Sequence, residues 1–260
     1  MNAKDDSSGD DGKTEVKYLN GSKKMLKIKG ELNSGSIPNK YDAVSVKIGE
    51  AITSIGNSAF SNCYNLTSVT IPDSVTSIGE YAFAGCTNLT SVTIGNSVTS
   101  IGDSAFNYCH SLTSMTIPDS VTSIGDSAFY HCTDLKSVII PNNVTSIGAR
   151  AFAECSGLAD NDGFVIIRNV LYSYYGDAIE VIIPDGLMSI DRAAFYGYSR
   201  LTSVTIPNSV TDIGDEAFTG CSGLTNITIP DSVKRIRDKT FYRCSGLMSV
   251  TIGNGIADIG

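Results

Sequence analysis

The segment Leu66 to Asn88, LTSVTIPDSVTSIGEYAFAGCTN, recurs from Leu89 as LTSVTIGNSVTSIGDSAFNYCHS and from Leu112 as LTSMTIPDSVTSIGDSAFYHCTD, a period of 23 residues. Repetition at that spacing constrains the chain more than any other feature, because one such unit cannot bury its apolar side alone and must stack on its neighbours. Two markers keep the register. Phe60, Phe83, Phe106, Phe129 and Phe152 are 23 apart, Phe195 follows after 43, and Phe218 and Phe241 resume the step. Cys63, Cys86, Cys109, Cys132 and Cys155 run in parallel, Tyr198 stands where the next is due, and Cys221 and Cys244 follow. One coil has therefore gained 20 residues.

Stacking removes the usual reading of length as domain number, so the 260 residues are expected to form one elongated unit after a short N-terminal region. A hydrophobic content of 42% supplies a continuous core, which the absence of Trp makes mainly aliphatic. A net charge of −8 with no basic stripe argues against nucleic acid as a partner. No apolar run approaches the ~20 residues of a membrane span, so membrane insertion by this segment is not expected. The start, MNAKDDSSGDDGKTEV, lacks the charged and apolar parts of a signal peptide. That leaves a cytosolic protein or a segment of a longer secreted chain, and the stop at Gly260 in mid-coil, before the next Ala-Phe and cysteine, argues for the latter. Seven cysteines, one per coil, read as a column of buried, reduced thiols, with bridges between neighbouring coils as the alternative.

Residues 1–15 are expected to be a disordered acidic tail or linker, with Asp5, Asp6, Asp10 and Asp11 among Ser and Gly. Residues 16–40 contain two β-rich runs around Asn20-Gly21, a strong hairpin signal, and this hairpin should cap the first coil. The solenoid then occupies residues 41–260. In each coil LTSVTI alternates, so Leu66, Val69 and Ile71 point inward while Ser68 and Thr70 point outward on a parallel sheet. Pro72 and its equivalents end that strand. SVTSIG adds a second short extended segment with Val75 and Ile78 inward, and Gly79 suggests a corner with φ above zero. The following EYAFAGC has room for one or two helical turns, with Asp, Asn or Ser as N-cap. The added residues, Leu158 to Asp177, read as two strands, Phe164 to Ile167 and Val170 to Tyr175, joined at Arg168-Asn169, making an inserted hairpin or a wider coil. Its tyrosines, Tyr172, Tyr174 and Tyr175, form the densest aromatic patch. They either pack the insert onto its neighbours or anchor a partner.

These residues resemble a known family, the BspA-like leucine-rich repeats. LTSVTIPDSVTSIGEYAFAGC at Leu66 to Cys86 is close to the family consensus, LKIKGELNSGSIP followed by AVSVKIGEAITSIG is similar to its capping segment, and FVIIRNVLYSYY to its longer irregular repeat. The cap departs from the bacterial pattern in lacking tryptophan. The resemblance implies an α/β fold, a right-handed leucine-rich-repeat solenoid with a parallel β-sheet on one face, short helical turns on the other and an N-terminal β-hairpin cap. It also implies a place on the surface of a bacterium or parasitic protist, in attachment to host proteins or other cells.

Chemistry has little to stand on. His110 and His131 adjoin Cys109 and Cys132 but occupy different positions in their coils, so four converging zinc ligands are not expected. The recurrent acids, Asp73, Asp119 and Asp231 at turns and Asp103 and Asp126 at helix starts, have structural reasons, and no base or phosphate loop accompanies the serines. No catalytic residue, metal or cofactor is expected. The Asn-x-Ser/Thr sites at Asn20, Asn65, Asn88, Asn143 and Asn226 follow mostly from the repeat itself.

The expected function is a non-enzymatic cell-surface module that binds a protein or glycan through an extended face, with a structural spacer in a longer surface protein as the alternative. Candidate ligand-binding residues are Ser68, Thr70, Ser91, Thr93, Ser114, Thr116, Ser137, Ile139, Glu180, Ile182, Ser203, Thr205, Asn226 and Thr228. Because Ile139, Glu180 and Ile182 interrupt the hydroxyl pattern beside the insert, the strongest contact is expected between Ser137 and Ser203.

Overall fold

The computed structural model describes residues 43–260 together with the strands Lys17–Tyr18 and Met25–Ile28. The acidic tail at 1–15, the Asn20-Gly21 turn and the side chains of the capping segment lie outside the described residues. Lys17–Tyr18 pairs antiparallel with Met25–Ile28, and that strand pairs parallel with Ser45–Ile48 at the start of the coils.

The coils stack as a solenoid of parallel strands with three walls. The first wall holds nine strands among the described residues, Ser45–Ile48, Ser68–Thr70, Ser91–Thr93, Ser114–Thr116, Ser137–Ile139, Glu180–Ile182, Ser203–Thr205, Asn226–Ile229 and Ser249–Ile252. Register is residue for residue at the repeat spacing, as in Val46 opposite Val69 and Val69 opposite Val92. The second wall is built from two-residue strands such as Ser77–Ile78 and Ser100–Ile101, again in exact repeat register. Alternation sends Val69, Ile71 and Ile78 into the core and leaves Thr70 exposed.

The third wall corrects the expected helical turns. Its AFxxC segments are strings of hydrogen-bonded turns, and the one helix among the described residues is a single 3-10 turn at Ser156–Leu158. The N–H groups of Ala59, Ser61 and Cys63 close turns on Gly56, Ser58 and Phe60, while those of Ser58, Phe60 and Asn62 donate to the carbonyls of Glu80, Ala82 and Ala84 in the next coil. Sending alternate N–H groups along the stack requires a left-handed residue at each end of the segment. Ser58 and Asn62, Tyr81 and Gly85, Ser104 and Tyr108, and Ser127 and His131 all have φ of about +53 to +70. A non-glycine residue pays roughly 1 kcal/mol for that conformation, which the rungs offset.

Two further expectations change. Asp103 and Asp126 do not cap helices; each carboxylate accepts the N–H of the residue 23 further on, Asp126 and Ala149, at 2.9 Å. Gly79 does not have positive φ. A Cβ there would lie 2.5 to 2.9 Å from Asn57 and Gly56 of the preceding coil, so close approach of backbones excludes a side chain.

The core follows from the columns. Phe60, Phe83, Phe106, Phe129 and Phe152 stack with centroids 5.0 to 5.4 Å apart and planes within 6°. All seven cysteines are unbridged and buried. From Cys86 onward each thiol faces the carbonyl of the phenylalanine 26 residues earlier at 3.0 to 3.3 Å, as Cys109 does with Phe83. Burial pushes the Cys109 and Cys221 thiols up to about 12. Threonines form a second ladder, with Thr76, Thr99, Thr122 and Thr145 each donating to the carbonyl 23 residues before.

Phe164–Ile167 and Val170–Tyr174 interrupt this order. They pair antiparallel through Arg168 and Asn169, both at positive φ, and Val170 and Leu171 continue the second wall by pairing with Ser189 and Ile190. The hairpin divides the core. Val165 and Tyr172 belong to the apolar cluster of the preceding coils, and Phe164, Leu171 and Tyr174 to that of the following ones.

Candidate binding face

The first wall presents its outward residues as one nearly uniform surface. Thr70, Ser91, Thr93, Ser114, Thr116, Ser137, Thr205, Asn226 and Thr228 are exposed, and Ser68 and Ser203 are half-buried. Ile139 and Ile182 are 63% and 74% exposed, with Glu180 exposed beside them. The face is not one continuous sheet. Hydrogen-bonded pairing runs from the cap strands to Ser91–Thr93, then joins Ser114–Thr116 to Ser137–Ile139, and starts again at Glu180–Ile182. Val92 and Val138, each on the last strand before an interruption, are only partly buried, whereas Val69, Met115, Val181 and Val204 are buried.

The first interruption separates consecutive coils whose second-wall strands, Ser100–Ile101 and Ser123–Ile124, still pair. The second arises because the chain leaves the wall. The Asp160 carboxylate accepts the N–H groups of Asp162 and Phe164 at 3.0 and 2.9 Å, folding a tight turn where a first-wall strand would begin. Beyond it the chain enters the hairpin.

Side chains then make bonds that a regular coil makes with backbone. Arg168 at the hairpin tip donates to the carbonyls of Pro141 and Val144. Ser173 accepts the N–H of Glu154 at 3.1 Å, and Asp191, which replaces the usual glycine, accepts that of Arg150 at 2.7 Å. Burial raises Asp191 to about 6, against the opposing effect of hydrogen bonds from Arg192 and Arg150.

The aromatic patch is mostly structural. Tyr172 is buried edge-on against Phe152 with centroids 5.6 Å apart, and Tyr174 is buried between Phe164, Phe195 and Tyr198. Tyr175 alone stays at the surface, 38% exposed, and donates to the Glu154 carboxylate at 3.1 Å. Burial and that carboxylate push its phenol above the usual range.

Sequence reasoning missed a second aromatic group on the third wall. Tyr108, His110, Tyr130 and His131 meet there, the two imidazole centroids 5.1 Å apart, and the Arg150 guanidinium lies 4.4 Å over the Tyr130 ring. The signal was available, since Tyr108 and His131 are one repeat apart and occupy the same left-handed position. Burial, then the neighbouring His131, lowers the pKa of His110. No group of three or more His, Cys, Asp or Glu side chains able to hold a metal occurs among the described residues. A shallow groove of about 390 Å³ follows Gly102, Gly125 and Gly148 along the second wall, lined by Ser100, Ser123, Asp103 and Asp126. No helix among the described residues is long and apolar enough to cross a membrane.

Stacked coils of short parallel strands, with a repeated apolar column and a polar outer sheet, define a leucine-rich-repeat solenoid. The model of the BspA type leucine rich repeat region matches residues 32–159 and 165–260 in six copies, and the chain belongs to that family. Among solved structures it is similar to a leucine-rich repeat protein from Bacteroides ovatus, with 25% identity and a TM-score of 0.60 over 98% of this chain and 78% of that one. A leucine rich cell surface protein from Faecalibacterium prausnitzii is 28% identical, with a TM-score of 0.50 over 96% of this chain and 95% of that one. The pneumococcal vaccine antigen PcpA shares the fold at 18% identity, with a TM-score of 0.54 over 95% of this chain and 83% of that one. No curated protein matches the chain.

Proposed function

We propose that this chain is a non-enzymatic binding or adhesion module of a cell surface, wound as a right-handed solenoid, that recognises a host or neighbouring-cell protein or glycan through its first wall. The observation that carries this reading is the exposed column of small hydroxyls, broken at Ile139, Glu180 and Ile182 where the sheet is also interrupted. Small hydroxyls offer hydrogen bonds and little apolar area, so recognition is spread over several coils, with the strongest contact between Ser137 and Ser203. Modest affinity for an extended ligand is then raised by many copies on one surface. The likeness to a leucine rich cell surface protein supports the location.

The test adds bulky side chains at Ser114, Ser137, Ile182 and Ser203 in separate folded variants and measures attachment to a panel of host matrix proteins. Loss in the variants nearest the interruption is expected. Unchanged attachment in all four moves the site off the first wall. A structural spacer is the second reading, favoured by the uniform, weakly charged coils before the hairpin, and it takes precedence if the parent protein attaches to nothing.

A further inference from the structure

We propose that the interruption beside the hairpin is a slot for one extended peptide strand, which refines the binding reading above and rests on it. Among the described residues, Ser137–Ile139 is paired only with Ser114–Thr116, and Glu180–Ile182 only with Ser203–Thr205. The chain between them, 160–178, sends Val170 and Leu171 to the second wall instead, with Phe164–Ile167 paired antiparallel beside that strand. In regular coils the N–H groups of Ile71, Ile117 and Ile183 donate to carbonyls on the next first-wall strand, those of Thr93, Ile139 and Thr205. Ile140 has no such strand beside it among the described residues. Two parallel strands thus present open edges toward the place of a missing one, and an open edge is a template for another chain.

A second observation marks the same place independently. The outward position that is threonine at 70, 93, 116, 205, 228 and 251 is isoleucine only at 139 and 182, the two strands that border the slot. Exposed isoleucine there costs solubility, and it supplies the apolar contact that the hydroxyl columns lack.

Charge specifies the occupant further. Asp160, Asp162, Asp177 and Glu180 are exposed around the base of the hairpin, where the Gly176 backbone lies against the Asp162 carbonyl, and Lys136 and Arg200 are the cations nearby in register. That end carries an excess of carboxylate. At the other end Arg168 is engaged with backbone carbonyls. The occupant is therefore an extended segment of a partner protein with β-branched residues at alternate positions and lysine or arginine at the end that meets the carboxylates. Its main chain would pair with two edges at once, whereas ordinary strand addition uses one. The interruption after Ser91–Thr93 offers no equivalent, because no chain has left the wall between those consecutive coils.

The experiment uses the full chain and a fluorescein-labelled peptide of nine residues, alternating valine and threonine with two lysines at one end, read by fluorescence anisotropy. Saturable binding is expected. Methylating every second amide nitrogen of the peptide, or replacing its lysines with glutamate, should weaken binding by about tenfold or more. The double variant Ile139→Thr with Ile182→Thr restores the residue found on neighbouring coils, so it should fold normally, and it should weaken binding by about tenfold. Thr53→Ala with Ser54→Ala, exposed at the second wall, should leave it unchanged. No binding by the parent, equal binding of the methylated peptide, or equal binding by the isoleucine double variant each overturns the slot. If the peptide assays fail while bulky residues at Ser114 or Ser203 still abolish attachment to matrix proteins, the slot falls and the broader binding face stands. If attachment is also absent from the parent, both fall.

Discussion

The coils from Phe60 to Phe152 and the hairpin coil between Cys155 and Ile179 solve the same problem by different means. In the regular coils a residue meets its own kind one repeat away: phenylalanine stacks on phenylalanine, threonine donates to the backbone of threonine, and strand pairs with strand in identical register. In the hairpin coil the contacts to the preceding coils are made by different residues, while Val170 and Leu171 still pair in register with Ser189 and Ile190. Tyr172 and Tyr174 take the place of a stacked phenylalanine, and Ser173, Arg168 and, from the following coil, Asp191 take the place of backbone rungs. Regularity lets a coil be specified by a pattern, while an irregular coil has to be specified residue by residue. The largest perturbations should therefore come from the regular columns, and the most residue-specific ones from the hairpin.

Phe129→Ala should have the greatest effect. Its ring is fully buried and stacked on both Phe106 and Phe152, so a cavity there should cost ~3–5 kcal/mol in denaturant unfolding. A cost below about 1 kcal/mol, the usual range for surface changes, would mean that the column is not the core of the stack.

Asp191 sharpens the comparison through pH. Its folded pKa, raised to about 6, lies above the ordinary carboxylate value of ~3.9. The folded state therefore binds the proton more tightly than the unfolded chain. That contribution is full below about pH 4 and is lost as pH rises through about 6. Relative to Asp191→Asn, which keeps an oxygen for the N–H groups of Arg150 and Arg192, the parent should lose on the order of 2 kcal/mol between pH 4 and 7. A pH-independent difference between the two proteins would show that burial does not govern this carboxyl group.

The same contrast explains what could be read before the structure. The 23-residue period alone gives the order of the walls and the inward columns, because Phe83 or Ile78 has one place in a stack once its neighbours are copies of it. Local conformation was less legible. AFAGC has the composition of a helical turn, yet its N–H groups point along the stack because the next coil offers carbonyls at the right spacing, a tertiary effect that propensity does not encode. Gly79 was assigned a backbone role through φ, whereas its role is to admit the neighbouring coil. Of the candidate face, the outward set of Ser and Thr follows from alternation. The break in the sheet does not, since it depends on Asp160 folding a turn where a strand would otherwise run.

Arg168→Met tests whether side chains really replace backbone in the hairpin coil. The aliphatic stem would remain, and the carbonyls of Pro141 and Val144 would lose the guanidinium, that of Pro141 keeping the Val144 N–H. Hydrogen bonds from a charged group contribute ~1.5–3 kcal/mol when well shielded, so a cost of about 1–2 kcal/mol is expected at this partly exposed site. Amide exchange should quicken at the hairpin and leave Ser77 to Ile124 unaffected. Equal acceleration throughout would mean that the hairpin is not a separate local unit.

The smallest effect should come from Thr116→Ala, and its smallness is informative. Threonines in this chain perform two tasks that composition cannot separate. Thr122 donates to the carbonyl of Thr99, so Thr122→Val should lose a hydrogen bond worth ~0.5–1.5 kcal/mol. Thr116 lies on the first wall beside Ile139, exposed, its strand held by backbone pairing of Ser114–Thr116 with Ser137–Ile139 that alanine leaves intact. Alanine loses some β-propensity and no packing, so the change should stay within about 0.5 kcal/mol. If Thr116→Ala destabilised the stack as much as Thr122→Val, the hydroxyls of the first wall would be part of what holds the coils together. They would then need no ligand to account for them, and the spacer reading would gain what the binding reading lost.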